Sequence, residues 1–309
     1  SQNEQDNRHY ALAAKLPMVE PSDSQECLDF MKAAYQISEQ FDLPVLFRTT
    51  TRVSHSKSLV RFGERTEQPV PPYARNTRKY ISSPANAYLN HPKVEAALTA
   101  LEEYGCTSPL NRMELNGSKI GVITASIAYE YAKDAFPADT SFLKLGLTNP
   151  LPMKLIREFA SKVEKLYVIE ELDSFMEDQI KAAGIDCIGK ELTGKLYELN
   201  PQLLKERIFG EKPERVDVGV TALCPGCPHR GFFYTMARHK DFVIAGDIGC
   251  YTLGASAPLS ALDSVVCMGG GFTVAMGMAK AFELAGQTDK KVFGVMGDST
   301  FFHSGMTGA

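Results

Sequence analysis

No apolar run in this chain of 309 residues is long enough to cross a bilayer, and its first residues carry no secretory signal. Together these predict a soluble, cytoplasmic protein without a membrane partner. A basic excess is missing as well. With 33 Lys and Arg against 37 Asp and Glu, the net charge of −4 argues against a nucleic-acid partner. Nor is there a disulfide framework to read. The 7 cysteines are an odd number, and Cys224, Cys227, Cys250 and Cys267 crowd toward the C-terminal end, which suits metal or redox chemistry in a reducing compartment. Residue 1 is Ser rather than Met, and residues 303–309 look like the opening of a further element. The expectation is a piece of a longer protein.

What is present is a 44% hydrophobic composition, enough to bury a sizeable core in two or three domains. Residues 1–10, dense in amides and acids, read as a solvated loop. Asp23 and Glu26 make a capping-box pattern ahead of a helix over 27–41, and a strand is predicted over 43–51. Residues 1–60 thus look like the end of an α/β domain. Residues 61–117 read as a linker region: a Pro- and Arg-rich stretch containing Pro69-Val-Pro-Pro72, a helix over 92–104 and a loop over 105–117. Over 118–198, strands (119–124, 141–145, 166–170) alternate with helices (127–135, 152–163, 175–183). That spacing predicts a parallel sheet with right-handed crossovers. Without a glycine fingerprint, this unit is expected to be structural. Glu170 and Glu171 could act as acid and base, but an exposed strand end is the expectation there. Residues 199–215 read as a second linker. A last unit over 216–309 has strands near Val243, Val265 and Val292.

The chemistry concentrates in that last unit. Residues 292–296 read as a strand buried on both faces, breaking at Gly297 with Asp298, Ser299 and Thr300 beyond it. In an open parallel sheet ligands bind at the carboxyl ends of strands, and an Asp there can hold a divalent ion against a diphosphate. Residues 264–268 repeat the arrangement, with Gly269, Gly270 and Gly271 as the turn and a helix from Phe272 whose free N–H groups suit an anion. The plainer alternative is an ordinary turn in which Asp298 or Ser299 caps a helix. Cys224-Pro-Gly-Cys227-Pro-His229 can be a redox dithiol, half of a zinc site with His229, part of an iron–sulfur site with Cys250, or simply a tight loop with buried thiols. His303 could contact substrate, although a hydrogen-bonded structural role is the plainer reading.

Four motifs carry a resemblance: Leu223-Cys-Pro-Gly-Cys-Pro-His-Arg230, Gly246-Asp-Ile-Gly-Cys-Tyr-Thr-Leu-Gly254, Met268-Gly-Gly-Gly271 and Gly297-Asp-Ser-Thr-Phe-Phe-His-Ser-Gly305. With Ser1-Gln-Asn-Glu-Gln-Asp-Asn-Arg8 and Thr49-Thr-Thr-Arg-Val-Ser-His55, they make the whole chain resemble the alpha subunit of the indolepyruvate:ferredoxin oxidoreductases, within the thiamine-dependent 2-oxoacid oxidoreductases. The resemblance implies an α/β, parallel-sheet thiamine-diphosphate-binding fold of three α/β units, the first and last truncated: the end of a pyrimidine-binding domain, a transketolase C-terminal-like domain and the start of a diphosphate-binding domain. It implies oxidative decarboxylation of arylpyruvates to aryl-acetyl-coenzyme A with electrons passed to ferredoxin, and a beta subunit as partner. Thiamine diphosphate would be held by Gly269, Gly270, Gly271, Gly297, Ser299, Thr300, Gly249 and Cys250. Asp298 would ligate Mg2+, and Cys224, Cys227 and Cys250 are candidate ligands of a [4Fe-4S] cluster. The family's activating Glu is expected before Ser1, its magnesium-ligating Asn and most of its clusters after Ala309. A non-redox thiamine-dependent decarboxylase or synthase, or a zinc-binding scaffold, are the alternative readings.

Overall fold

A computed structural model describes residues 5–65, 72–212 and 223–309. The backbone gathers into two compact units, Gln5–Glu214 and Arg215–Ala309. Residues 1–4, the Pro69-Val-Pro-Pro72 stretch as far as residue 71, and residues 213–222 at the predicted boundary of the last unit lie outside the described residues.

The first unit runs α1 (Arg8–Ala14), β1 (Met18–Val19), α2 (Ser24–Phe41), β2 (Leu46–Phe47), α3 (Thr51–His55), α4 (Thr77–Tyr80), α5 (Pro84–Thr107), β3 (Arg112–Glu114) and β4 (Ile120–Ala125). It continues through α6 (Ile127–Ala135), β5 (Ser141–Leu145), β6 (Leu147–Asn149), α7 (Met153–Ala160), β7 (Lys165–Ile169), α8 (Phe175–Ala182), α9 (Lys190–Thr193) and α10 (Pro201–Phe209). Its main sheet has the order β3-β5-β4-β7, with β4 parallel to both β5 and β7, and β3 antiparallel to β5 at the edge. Alternation along β4 explains the layers. Ile123 and Ala125 pack with Leu143, Leu145 and Val168 on one face, while Val122 packs with Phe142, Tyr167 and Ile169 on the other. Each buried Val, Leu, Ile or Phe among them contributes about 1.5–3 kcal/mol, and Ile123→Ala would cost about 2–5 kcal/mol. A smaller sheet, β2-β1-β6, ties the N-terminal segment to the extension of β5.

Local signals placed most of these elements, and long-range contacts moved the rest. Asp23 caps α2 as expected, accepting from the Glu26 N–H at 2.8 Å, but Glu26 reaches back to Ser22 rather than to the cap residue. The strand predicted over 43–51 shrinks to β2, because Thr50 caps α3. Helix α5 begins at Pro84 rather than Pro92. Ser83 caps it and Pro84 fills the first helical position, so Pro92 is carried inside. The expected loop over 105–117 contains β3.

Two polar stretches are not what their composition predicts. In the first segment Asp6 and Arg8 are buried: Arg8 donates to Asp6, to Glu170 Oε2 at 2.5 Å and to the carbonyls of Glu171 and Asp173 at 2.8 and 3.1 Å. Glu170 is therefore not an exposed strand end; it also accepts from the N–H groups of Met176 and Glu177. Part of the predicted linker 199–215 is α10, capped by Asn200, with Leu199 and Leu204 in the same apolar cluster as Val122.

The second unit runs α11 (Pro228–Met236), β8 (Phe242–Ala245), a 3-10 turn over Gly249–Ala255, α12 (Gly271–Leu284), β9 (Lys291–Gly294), α13 (Asp298–His303) and a 3-10 turn over Gly305–Gly308. β8 and β9 pair in parallel, Phe242 beside Lys291 and Ala245 beside Gly294. The strand expected near Val265 is reduced to one bridge, Ala245 to Ser264. Asp263 accepts from the Ile244 N–H at 2.7 Å and Gly246 donates to the Ser264 carbonyl, but β8 ends at Ala245 and the chain turns at Cys267, whose carbonyl accepts from Gly270, so the pairing goes no further. The last strand stops at Gly294, and residues 292–296 are half-buried rather than buried on both faces.

Candidate functional site

Three loops of the second unit meet beyond the ends of β8 and β9, and one side chain joins them. Asp247, two residues past β8, is completely buried. Its Oδ1 accepts the Gly269 N–H at 3.1 Å and its Oδ2 accepts the Gly297 N–H at 3.2 Å. The Asp247 carbonyl accepts from Thr252 Oγ1 at 2.8 Å, fixing the start of the 3-10 turn. The two glycine corners expected to share a ligand thus share a carboxylate.

Glycine is required where these backbones cross. A Cβ on Gly271 would lie 2.6 Å from the Val295 carbonyl and 3.1 Å from that of Gly246. Gly269 has φ +83°, and a Cβ there would collide with Ser304 Oγ. Ser304 Oγ itself approaches the Met268 carbonyl at 3.5 Å. Across the second corner the Tyr251 ring sits 3.5 Å from where a Gly297 Cβ would be.

The backbone donors fall into two sets. Gly269 gives its N–H to Asp247, and Gly270 gives its own to Cys267 O at 3.0 Å. Both are spent within the chain. Gly271, Phe272 and Thr273 open α12 with no side-chain cap, and their N–H groups meet no acceptor among the described residues. At the second corner Ser299 donates to Asp298 Oδ1 at 2.8 Å and Phe301 to Gly297 O at 2.9 Å. Asp298 and Ser299 are exposed and Thr300 is buried. Gly249, at φ +83°, and the exposed Cys250 lie on the same loop as Asp247. His303 is exposed at the last turn of α13.

The thiols are not drawn together. Cys227 caps α11 and its Sγ lies 3.2 Å from His229 Nδ1, while the His229 ring meets Tyr251 edge-on at 4.7 Å. Cys224 and Cys250 are exposed and do not join them in a ligand set. Among the described residues the one such set is Asp6, His9 and Asp173 in the first unit, where Arg8 already occupies Asp6. Asp247 was the residue sequence reasoning passed over. An acid flanked by glycine immediately after a buried strand, in Gly246-Asp-Ile-Gly249, was the available signal.

Residues 247–308 match the family model described as thiamine pyrophosphate enzyme, C-terminal TPP binding domain. The indolepyruvate oxidoreductase subunit IorA of Methanothermobacter marburgensis is 38% identical over 342 residues, covering 99% of this chain and 54% of that protein. Over almost its whole length the chain is similar to these IorA subunits. The IorA of Archaeoglobus fulgidus is 35% identical over 336 residues, covering 99% of this chain and 53% of that protein. The chain spans about half the length of the curated relatives it matches. Among solved structures, a chain of the 2-oxoglutarate:ferredoxin oxidoreductase from Magnetococcus marinus aligns with a TM-score of 0.47 and 14% identity, covering 67% of this chain and 45% of that one.

Proposed function

We propose that this chain supplies the diphosphate-binding half of a thiamine diphosphate site in an indolepyruvate-type 2-oxoacid:ferredoxin oxidoreductase. Oxidative decarboxylation of an arylpyruvate to an aryl-acetyl-coenzyme A, with electrons delivered to ferredoxin, is the reaction in view, and a beta subunit is the partner. The observation that carries the reading is the single carboxylate of Asp247 bound to both glycine corners, which supports treating the open turn of α12 and Asp298, the residue after Gly297, as parts of one site. The family match over 247–308 supports it. The three-part division of the chain into the end of a pyrimidine-binding domain, a transketolase C-terminal-like domain and a diphosphate-binding domain belongs to the same proposal. So does a cytoplasmic location; no helix among the described residues is long and apolar enough to cross a membrane.

The donor set fits the charged end of the cofactor. Asp298 offers an exposed carboxylate to Mg2+. Gly271, Phe272 and Thr273 offer open N–H groups and the positive end of a 14-residue helix to the diphosphate. Thr300 lies at the second corner, and Gly249 and Cys250 border the loop beside it. Gly269, Gly270 and Gly297 shape the corners rather than contact the anion through their N–H groups, which are already engaged. When bound, the thiazolium supplies the electron sink for decarboxylation. Cys224, Cys227 and Cys250 do not form a cluster site in this arrangement, so no electron-transfer step is assigned to them.

Calorimetry on the full-length protein tests the assignment. Asp298→Ala is expected to abolish Mg2+-dependent thiamine diphosphate binding, and an unaltered affinity would remove the reading.

A further inference from the structure

We infer that Asp247 is the positioning residue of this site, presetting the two corners before any cofactor arrives; the inference rests on the thiamine diphosphate reading. Its side chain reaches backbone N–H groups 22 and 50 residues further along the chain, one in each glycine corner. Tying two separate turns with one short side chain needs two acceptor oxygens on a single planar group. A carboxylate has them, whereas an amide has one oxygen and would turn its NH2 against the second N–H.

The charge is the second part of the argument. Asp247 is completely buried, and among the described residues no Lys, Arg or His forms an ion pair with it. In place of water the carboxylate has two backbone N–H groups and the nearby start of α12, so both of its oxygens are committed to the corners. Asp247 also decides which donors remain for the anion, because by taking the Gly269 and Gly297 N–H groups it leaves the first turn of α12 to receive the diphosphate.

The test compares three variants of the full-length protein by calorimetry with thiamine diphosphate and Mg2+, each with a melting curve of the cofactor-free form. Asp247→Asn is expected to weaken binding about 10–100-fold, the range typical when a supporting partner of a metal site is lost. Thr252→Val loosens the same loop through the Asp247 carbonyl without touching the carboxylate, and is expected to keep affinity within about twofold despite any drop in melting temperature. If Asp247→Asn does not fold, Asp247→Glu takes its place. It keeps both acceptors and the charge but lengthens the reach, and is expected to weaken binding by a smaller factor. Wild-type affinity in the Asp247 variant overturns the inference, as does an equal loss in Thr252→Val. Asp298→Ala separates the two levels. If it still binds with unaltered affinity, the cofactor reading itself fails; if it does not bind while the Asp247 variant keeps wild-type affinity, only the positioning role falls.

Discussion

In the unit of residues 5–212, buried carboxylates answer buried cations. Glu26 faces Lys144, Glu20 faces Arg48, and Asp6 and Glu170 share Arg8. Burial works to raise the Glu26 carboxyl, but Lys144 and the Ser22 N–H hold it below the usual range. In the unit of residues 223–309 the buried carboxylate, Asp247, is spent on backbone N–H groups instead. The apolar cores differ in the same sense. Among the described residues three clusters fill the first unit, whereas the second holds a small one around Leu223, Phe233 and Ala261 beside a half-buried strand pair. Paired charge fixes one arrangement of a closed interior, while a backbone-directed carboxylate organises a surface whose remaining donors face outward.

The sharpest way to break this comparison is to remove a counter-charge from the first unit. Glu26→Gln strands the fully buried Lys144 and should cost about 3–5 kcal/mol, read as a lower urea midpoint, with thiamine diphosphate affinity unchanged. A matching loss of affinity would mean the two regions are not independent in function. Next, thiamine diphosphate with Mg2+ at 100 times its Kd should add about 2.7 kcal/mol to whatever unit binds it. Hydrogen exchange should slow around residues 246–251, 267–273 and 297–300; uniform slowing across 5–212 would contradict the contrast.

Smaller effects sharpen it. Gly269→Ala forces a Cβ onto a residue at φ +83° against Ser304 and should destabilise the corner by about 1–2 kcal/mol, weakening cofactor binding as well. Asp23→Ala removes the cap on α2 for about 1 kcal/mol, visible in the melting temperature and not in affinity. Smallest is a pH effect. Burial pushes the Lys190 amine from 10.5 down to about 8, against the pull of Glu170. Between those two pH values the unfolded chain keeps a proton that the folded one has released, so this group makes stability rise with pH there. Lys190→Gln should flatten that rise, and an unchanged slope would show the amine is not the source.

Where a signal is local it could be read in advance. Strand β5 over Ser141–Leu145 and helix α6 over Ile127–Ala135 lie where apolar periodicity places them. The glycine corner before α12 was equally visible, because a turn needing positive φ must be written in nearby residues. Arg8 and Asp6 were not legible, since their hydrophilic neighbours signal solvent and their partner Glu170 comes 162 residues later. Lys144 is similar: a charged residue in an apolar strand gives no hint that Glu26, 118 residues earlier, will meet it. The strand near Val265 failed for the converse reason. Its residues have the right character, but the neighbouring strand β8 ends at Ala245, opposite Ser264, and leaves the residues beyond without a partner strand among the described residues.

The chain's own letters determined the α/β alternation, the glycine corners and the acid at position 298, because period, turn chemistry and motif spacing act over a few residues. Only the tertiary structure decided that both corners hang on Asp247, that Gly269 and Gly270 have no N–H to spare, and that the cysteines stay apart. Those outcomes depend on which groups far apart in the chain come within 3 Å or so of each other, a distance that hydrogen bonding demands and linear order does not encode.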